Sequence, residues 1–248
     1  MPLVTMKSIL QHADTQKYGV GAFNLLNMEA AKAAIETAET LRSPLIMQLA
    51  EIQLDSSPMK YMFPMMIQAA KEASVPVAVH YDHGITFDSI MKALKYGCTS
   101  VMFDGAALPF EENIRVTKEI ANIAHAMGAD CEAELGVVGG AEVGFHDDMK
   151  EVDEVLTDPS QAAEFVERTG CDFLAVAIEN AHGPYAPKIF RKLISLSARA
   201  CILGLNQLPK RLGARKEAKK SPKPSLISPK RIRNYMGTTI KNLKLWQE

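Results

Sequence analysis

The sequence predicts an α/β fold whose parallel strands close into a barrel, and three observations carry that expectation. Strand-like and helix-like runs alternate through six units before residue 186. Polar or ionisable residues stand at the C-terminal end of nearly every strand run, where a parallel barrel gathers its loops into one mouth. No G-x-G-x-x-G follows the first strand run to mark the switch point of an open dinucleotide-binding sheet.

The strand runs cover residues 19–24, 44–51, 75–84, 100–105, 130–136 and 173–180. Asn27 caps a helix carrying Ala30, Ala34, Ile35, Ala38 and Leu41 on one face. Residues 86–97 and 111–128 read as helices closed by glycine. A further helix starts at Asp158, with Pro159 in its first position and Gln161 three residues after the cap, and stops at Gly170.

With 248 residues and 47% hydrophobic content, the chain is long and apolar enough for a sizeable core, which excludes disorder throughout. No apolar run reaches the roughly 20 residues that span a bilayer, and the first residues lack a signal-peptide layout, so the expectation is a soluble cytoplasmic protein. Cys98, Cys131, Cys171 and Cys201 form no C-x-x-C pair and read as reduced core residues. The net charge of -1 conceals two compositions: residues 186–248 hold 16 of the 28 Lys+Arg and 2 of the 29 Asp+Glu, a balance of +14, leaving -15 in residues 1–185. The chain therefore divides into a barrel domain, 1–185, and a basic C-terminal segment, 186–248, whose lysine-rich stretches have no sustained apolar period.

The strand ends bring His83 and His182 to one mouth beside Asp82, Asp104, Glu132 and Glu134, with Asn24 at the first strand. Neutral imidazole is the commonest ligand of zinc and similar ions, and crowded carboxylates need a cation to relieve their repulsion. Few lysines lie near these ends, which favours a metal. Asp82 reads either as the acid that moves a proton beside a metal-polarised carbonyl or as a cap of the following turn. A Schiff-base mechanism is disfavoured, because none of the six strands ends in lysine.

Six segments in order, YGVGAFN at 18–24, HYDHG at 80–84, FDGAALPFEENI at 103–114, EAELGVVGG at 132–140, LTDP at 156–159 and AIENAHG at 177–183, resemble class II, zinc-dependent fructose- and tagatose-bisphosphate aldolases. The resemblance spans residues 1 to about 185. It implies a TIM (β/α)8 barrel and reversible cleavage of a ketose 1,6-bisphosphate to dihydroxyacetone phosphate and an aldehyde, a carbon-carbon lyase of carbohydrate metabolism. Asp82 resembles the catalytic acid, and His83 and His182 resemble two of three zinc histidines. Asp104 and Glu134 resemble acids at a second or alternative metal position, which a second divalent or a monovalent cation would occupy. Gly183 resembles a backbone contact to dihydroxyacetone phosphate, with Asn24 grouped among the substrate-binding residues. Glu142 is either the base acting on dihydroxyacetone phosphate or a loop acid without a catalytic part. A phosphorylated sugar is the implied partner, and relatives commonly form homo-oligomers.

The chain departs from this pattern after Ala186. No His-Gly-Gly-Ser-Gly or Asn-Val-x-Thr-Asp type segment follows, and no histidine occurs after His182, so the third zinc histidine is absent and the expected barrel is incomplete, with six family-like strands. A reading-frame change near residue 186 and an evolved basic extension both account for the shift. The competing functions are a catalytically impaired, truncated or frame-shifted aldolase-like protein and a noncatalytic binding protein that uses its basic segment on nucleic acid or an acidic partner. With only Phe190, Tyr235 and Trp246 as aromatics, that segment is not expected to bind nucleic acid.

Overall fold

In the computed structural model, the described residues are 2–137, 139–140, 156–177 and 181–182, the last pair and 139–140 by backbone alone. Six strands, β1 (Ala22–Asn24), β2 (Leu45–Ala50), β3 (Val77–Gly84), β4 (Ser100–Phe103), β5 (Asp130–Leu135) and β7 (Phe173–Val176), pair in that order, every pairing parallel. They curl into a half-barrel, the incomplete barrel the sequence predicts. A separate two-stranded parallel pair, β6 (Gly139–Gly140) with β8 (Ala181–His182), was not anticipated.

The expected helices form as α2 (Met28–Leu41), α4 (Phe87–Tyr96), α5 (Phe110–Ala126) and α6 (Pro159–Thr169). Asn27 accepts the Ala30 N–H at 2.8 Å, and Asp158 accepts those of Ser160 and Gln161 at 2.7 and 3.2 Å. Gly97 and Gly170 end α4 and α6 with φ of 93° and 72°, a left-handed turn that glycine enters without a Cβ penalty. Two further helices form, α1 (Met6–Gln16), capped where Thr5 Oγ1 accepts the Ser8 N–H at 3.3 Å, and α3 (Met59–Glu72), which has no side-chain cap. Pro58 precedes α3 and Pro64 lies within it.

Strand parity divides the core. Leu45, Met47, Leu49, Val77, Val79, Tyr81, Val101 and Phe103 pack outward under α2–α5 in the main cluster. Ile46 and Ala78, on the opposite face, meet Met6, Ile9 and Leu10 of α1, which thus plugs the bottom of the half-barrel. The inward positions above that plug change from apolar to polar: Gln48, His80 and Ser100 share one register level, and Asp82 lies one inward step higher. Cys98, Cys131 and Cys171 are buried and free, in accord with their expected role as core residues, while Cys201 lies outside the described residues. Among the described residues no helix is long and apolar enough to cross a membrane. The boundary at residue 186 and the basic segment beyond it also lie outside the described residues.

Candidate active site

Asp82 and His83 are adjacent, so a regular strand would send them to opposite faces. The β3–β4 register shifts between Tyr81 and Gly84, and His83 takes the left-handed conformation with φ 49°. This irregularity re-aims His83, so both side chains serve the mouth. Gly84 permits the turn: a Cβ there would lie 2.7 Å from Ile90 Cγ1 and 2.8 Å from the Met102 carbonyl oxygen. From the neighbouring loop the Glu51 carboxylate accepts the Ile85 N–H and, at 3.4 Å, the Ser89 hydroxyl.

His83 Nδ1 lies 3.0 Å from Asp104 Oδ2 and 3.7 Å from Glu134 Oε2. One donor atom from each of these residues falls within a common 4.8 Å. An imidazole nitrogen and two carboxylate oxygens at that spacing suit a divalent cation, since ligand bonds of about 2.0–2.2 Å to one centre leave the donors a few ångströms apart. The set therefore fits the ion that the sequence leads one to expect. It also joins three residues that sequence reasoning assigned to two positions: His83 meets Asp104 and Glu134 directly.

Beneath this set lies a second group. Gln48 Nε2 donates to Asp82 Oδ2 at 2.7 Å, and His80 Nε2 lies 3.8 Å from Asp82 Oδ1 and 3.5 Å from Glu132 Oε2. His80 Nδ1 is 2.9 Å from Ser100 Oγ. Burial, then the nearby His83, lowers the His80 pKa to about 3, so the ring is neutral. Burial, then the Asp82 charge, raises Glu132 to about 7. Gln48 and His80 were not among the expected site residues. Their signal is parity: each is a polar residue among buried apolar neighbours, and His80 sits two residues before Asp82 on the same face.

Asn24, at the exposed end of β1, pairs in register with Gln48 and so stands beside the Asp82 group. His182 enters through its backbone in β8, opposite Gly140. The assignments of Glu142 and Gly183 lie outside the described residues.

The profile of the fructose-bisphosphate aldolase class-II family matches residues 4–203. A fructose-bisphosphate aldolase of Thermus caldophilus is 47% identical over 190 residues, covering 75% of this chain and 60% of that protein. Escherichia coli YdjI is 42% identical over 179 residues, covering 70% and 61%. Its crystal structure, described as the YdjI aldolase, superposes with a TM-score of 0.64, covering 73% of this chain and 64% of that one. A structure from Coccidioides immitis, described as a putative fructose-1,6-biphosphate aldolase, gives 0.65 at 33% identity, covering 74% and 63%. The chain thus spans about three-fifths of the length of the first relatives it matches. The profile match and the structural likeness together show that this chain belongs to the class II fructose-bisphosphate aldolase family.

Proposed function

We propose that the chain is a divalent-metal-dependent aldolase that reversibly cleaves a ketose 1,6-bisphosphate, of fructose or tagatose type, to dihydroxyacetone phosphate and an aldehyde. The observation that carries this reading is the convergence of His83, Asp104 and Glu134, with Asp82 the residue directly before His83 in β3. His83, Asp104 and Glu134 would hold the ion, zinc by resemblance, with the His182 imidazole as a further ligand. When bound, such an ion supplies Lewis acidity to a substrate carbonyl. Asp82 moves the proton at the oxygen that is a hydroxyl in the ketose and an aldehyde after cleavage. The Gln48 amide keeps its carboxyl in one orientation for that transfer. The β1 end at Asn24 and the Gly183 backbone bind substrate, and Glu142 serves the dihydroxyacetone phosphate portion. The proposal extends to a cytoplasmic homo-oligomer acting on phosphorylated sugar.

The test is cleavage of fructose and tagatose bisphosphates, coupled to detection of dihydroxyacetone phosphate, with and without added zinc. Zinc-dependent turnover that falls about 10²–10⁴-fold in Asp82→Ala supports the reading. No turnover of either sugar in the presence of zinc overturns it.

A further inference from the structure

We propose that Asn113 is a positioning residue that fixes the distance between Asp104 and Glu134 and thereby the divalent-ion affinity of the mouth. This rests on the metal reading above. Asn113 is on α5, outside the site, and only 1% exposed. Its Nδ2 donates to the backbone carbonyl of Glu134 at 3.0 Å, and its Oδ1 accepts the Thr117 hydroxyl at 2.9 Å. Thr117 is itself fully buried, so its hydroxyl sets which way the amide faces.

The same amide touches the loop that carries Asp104. A Cβ at Gly105 would lie 2.2 Å from Asn113 Oδ1, a distance no side chain tolerates, so the absence of one lets the loop rest on the amide. That loop closes on itself where Asp104 Oδ1 accepts the Ala106 N–H at 3.2 Å, while Oδ2 is the oxygen near His83. One buried amide therefore meets the residue after one acid and the main chain of the other.

The helix gives the amide a firm base. Ile114, next to Asn113, packs with Ala133 and Leu135, which flank Glu134 in β5. Phe110 lies against Phe165, the rings tilted by 54° with centres 6.1 Å apart, and Arg168 of α6 bonds Glu111 at 2.8 Å. A bond from a rigid helix to the main chain of an acid's own strand can hold that acid without touching the ion. Partners of this kind commonly change metal affinity by about 10–100-fold.

The experiment is a cobalt(II) titration of the full chain, competed with a chelator, for the parent and the variants Asn113→Ala, Thr117→Val, Gly105→Ala and Ile120→Ala. The last removes buried apolar volume elsewhere on α5 and serves as the stability control. Asn113→Ala is expected to weaken affinity about tenfold and Thr117→Val about threefold, with Ile120→Ala unchanged despite its lower melting temperature. Gly105→Ala should lose affinity in the parent and lose less in the Asn113→Ala background, where space has been opened. An Asn113→Ala affinity within twofold of the parent, or a loss equal to that of Ile120→Ala, overturns the proposal. Should Asn113→Ala not fold, parent-like affinity in Thr117→Val overturns it. If the parent binds no cobalt, the metal reading fails by itself, and hydrogen exchange then decides the role of Asn113. Faster exchange at residues 104–106 and 134–136 in Asn113→Ala than in Ile120→Ala supports the coupling, and equal exchange ends it.

Discussion

The two ends of the half-barrel use the same residue types to opposite effect. At the base, Asp130 Oδ2 accepts the Lys7 N–H at 2.6 Å, and Asp172 meets Lys7 Nζ at 2.8 Å, the Cys131 N–H at 2.9 Å and His125 Nε2 at 2.6 Å. Burial works to raise Asp172, yet these donors outweigh it and hold the carboxyl below its ordinary value. At the mouth, acids face one another and two imidazoles, Glu132 rises to about 7 and His80 falls to about 3. The base pairs its acids with donors even though burial raises one of them, Asp130, whereas the mouth sets acids and imidazoles against one another, a condition that functional sites favour.

The largest expected effect tests that contrast directly. Asp172→Ala, which removes the acceptor shared by Lys7 Nζ, the Cys131 N–H and His125 Nε2, should cost on the order of 3 kcal/mol in urea unfolding and leave cobalt affinity unchanged. Glu134→Gln should do the reverse, lowering cobalt affinity at least tenfold while metal-free stability stays level or rises. Equal stability losses in the two variants would break the comparison.

Next in size is a pH effect with opposite signs at the two ends. Asp172 has a depressed folded pKa, so its stabilisation is present above the unfolded value of 3.8 and is lost as pH falls through the folded one. Glu132 is raised from 4.5 to about 7, so its contribution is present below 4.5 and is lost as pH rises through 7. Glu132→Gln should therefore gain stability over the parent between pH 4.5 and 7, by up to about 3 kcal/mol. A difference between the two unfolding curves that does not vary with pH would refute the assignment.

The smallest effect concerns the loop behind His83. Glu51→Gln weakens the acceptor for the Ile85 N–H and should cost about 1 kcal/mol, with cobalt affinity lowered by a few-fold at most. A loss of affinity as large as that of Glu134→Gln would mean that Glu51 belongs to the mouth itself.

Much of this was legible from local patterns. Capping residues such as Asn27 and Asp158, the glycines at 97 and 170 and the polar strand ends act through bonds a few residues long, so their order reveals helices, parallel strands and a shared mouth. The motif HYDHG pointed to Asp82 and His83, and its glycine to a strand end that can turn, but not to how that turn is held. That depends on a register shift held by Ile90 and Met102 against Gly84. α1 was missed as the barrel plug because its apolar face becomes informative only beside Ile46 and Ala78. His80 and Gln48 were missed because neither residue type is unusual in a strand until burial places it against Asp82.

By itself, then, the amino-acid order determined the parallel α/β plan, the chemical types at the mouth and the family to which they belong, because periodicity, caps and motifs are short-range properties of the chain. Tertiary structure alone decided which acids meet His83, which end of the barrel is neutralised by Lys7, and the depth at which Glu132 and His80 are buried. Those outcomes depend on distances between segments up to 165 positions apart and on the exclusion of water from between them.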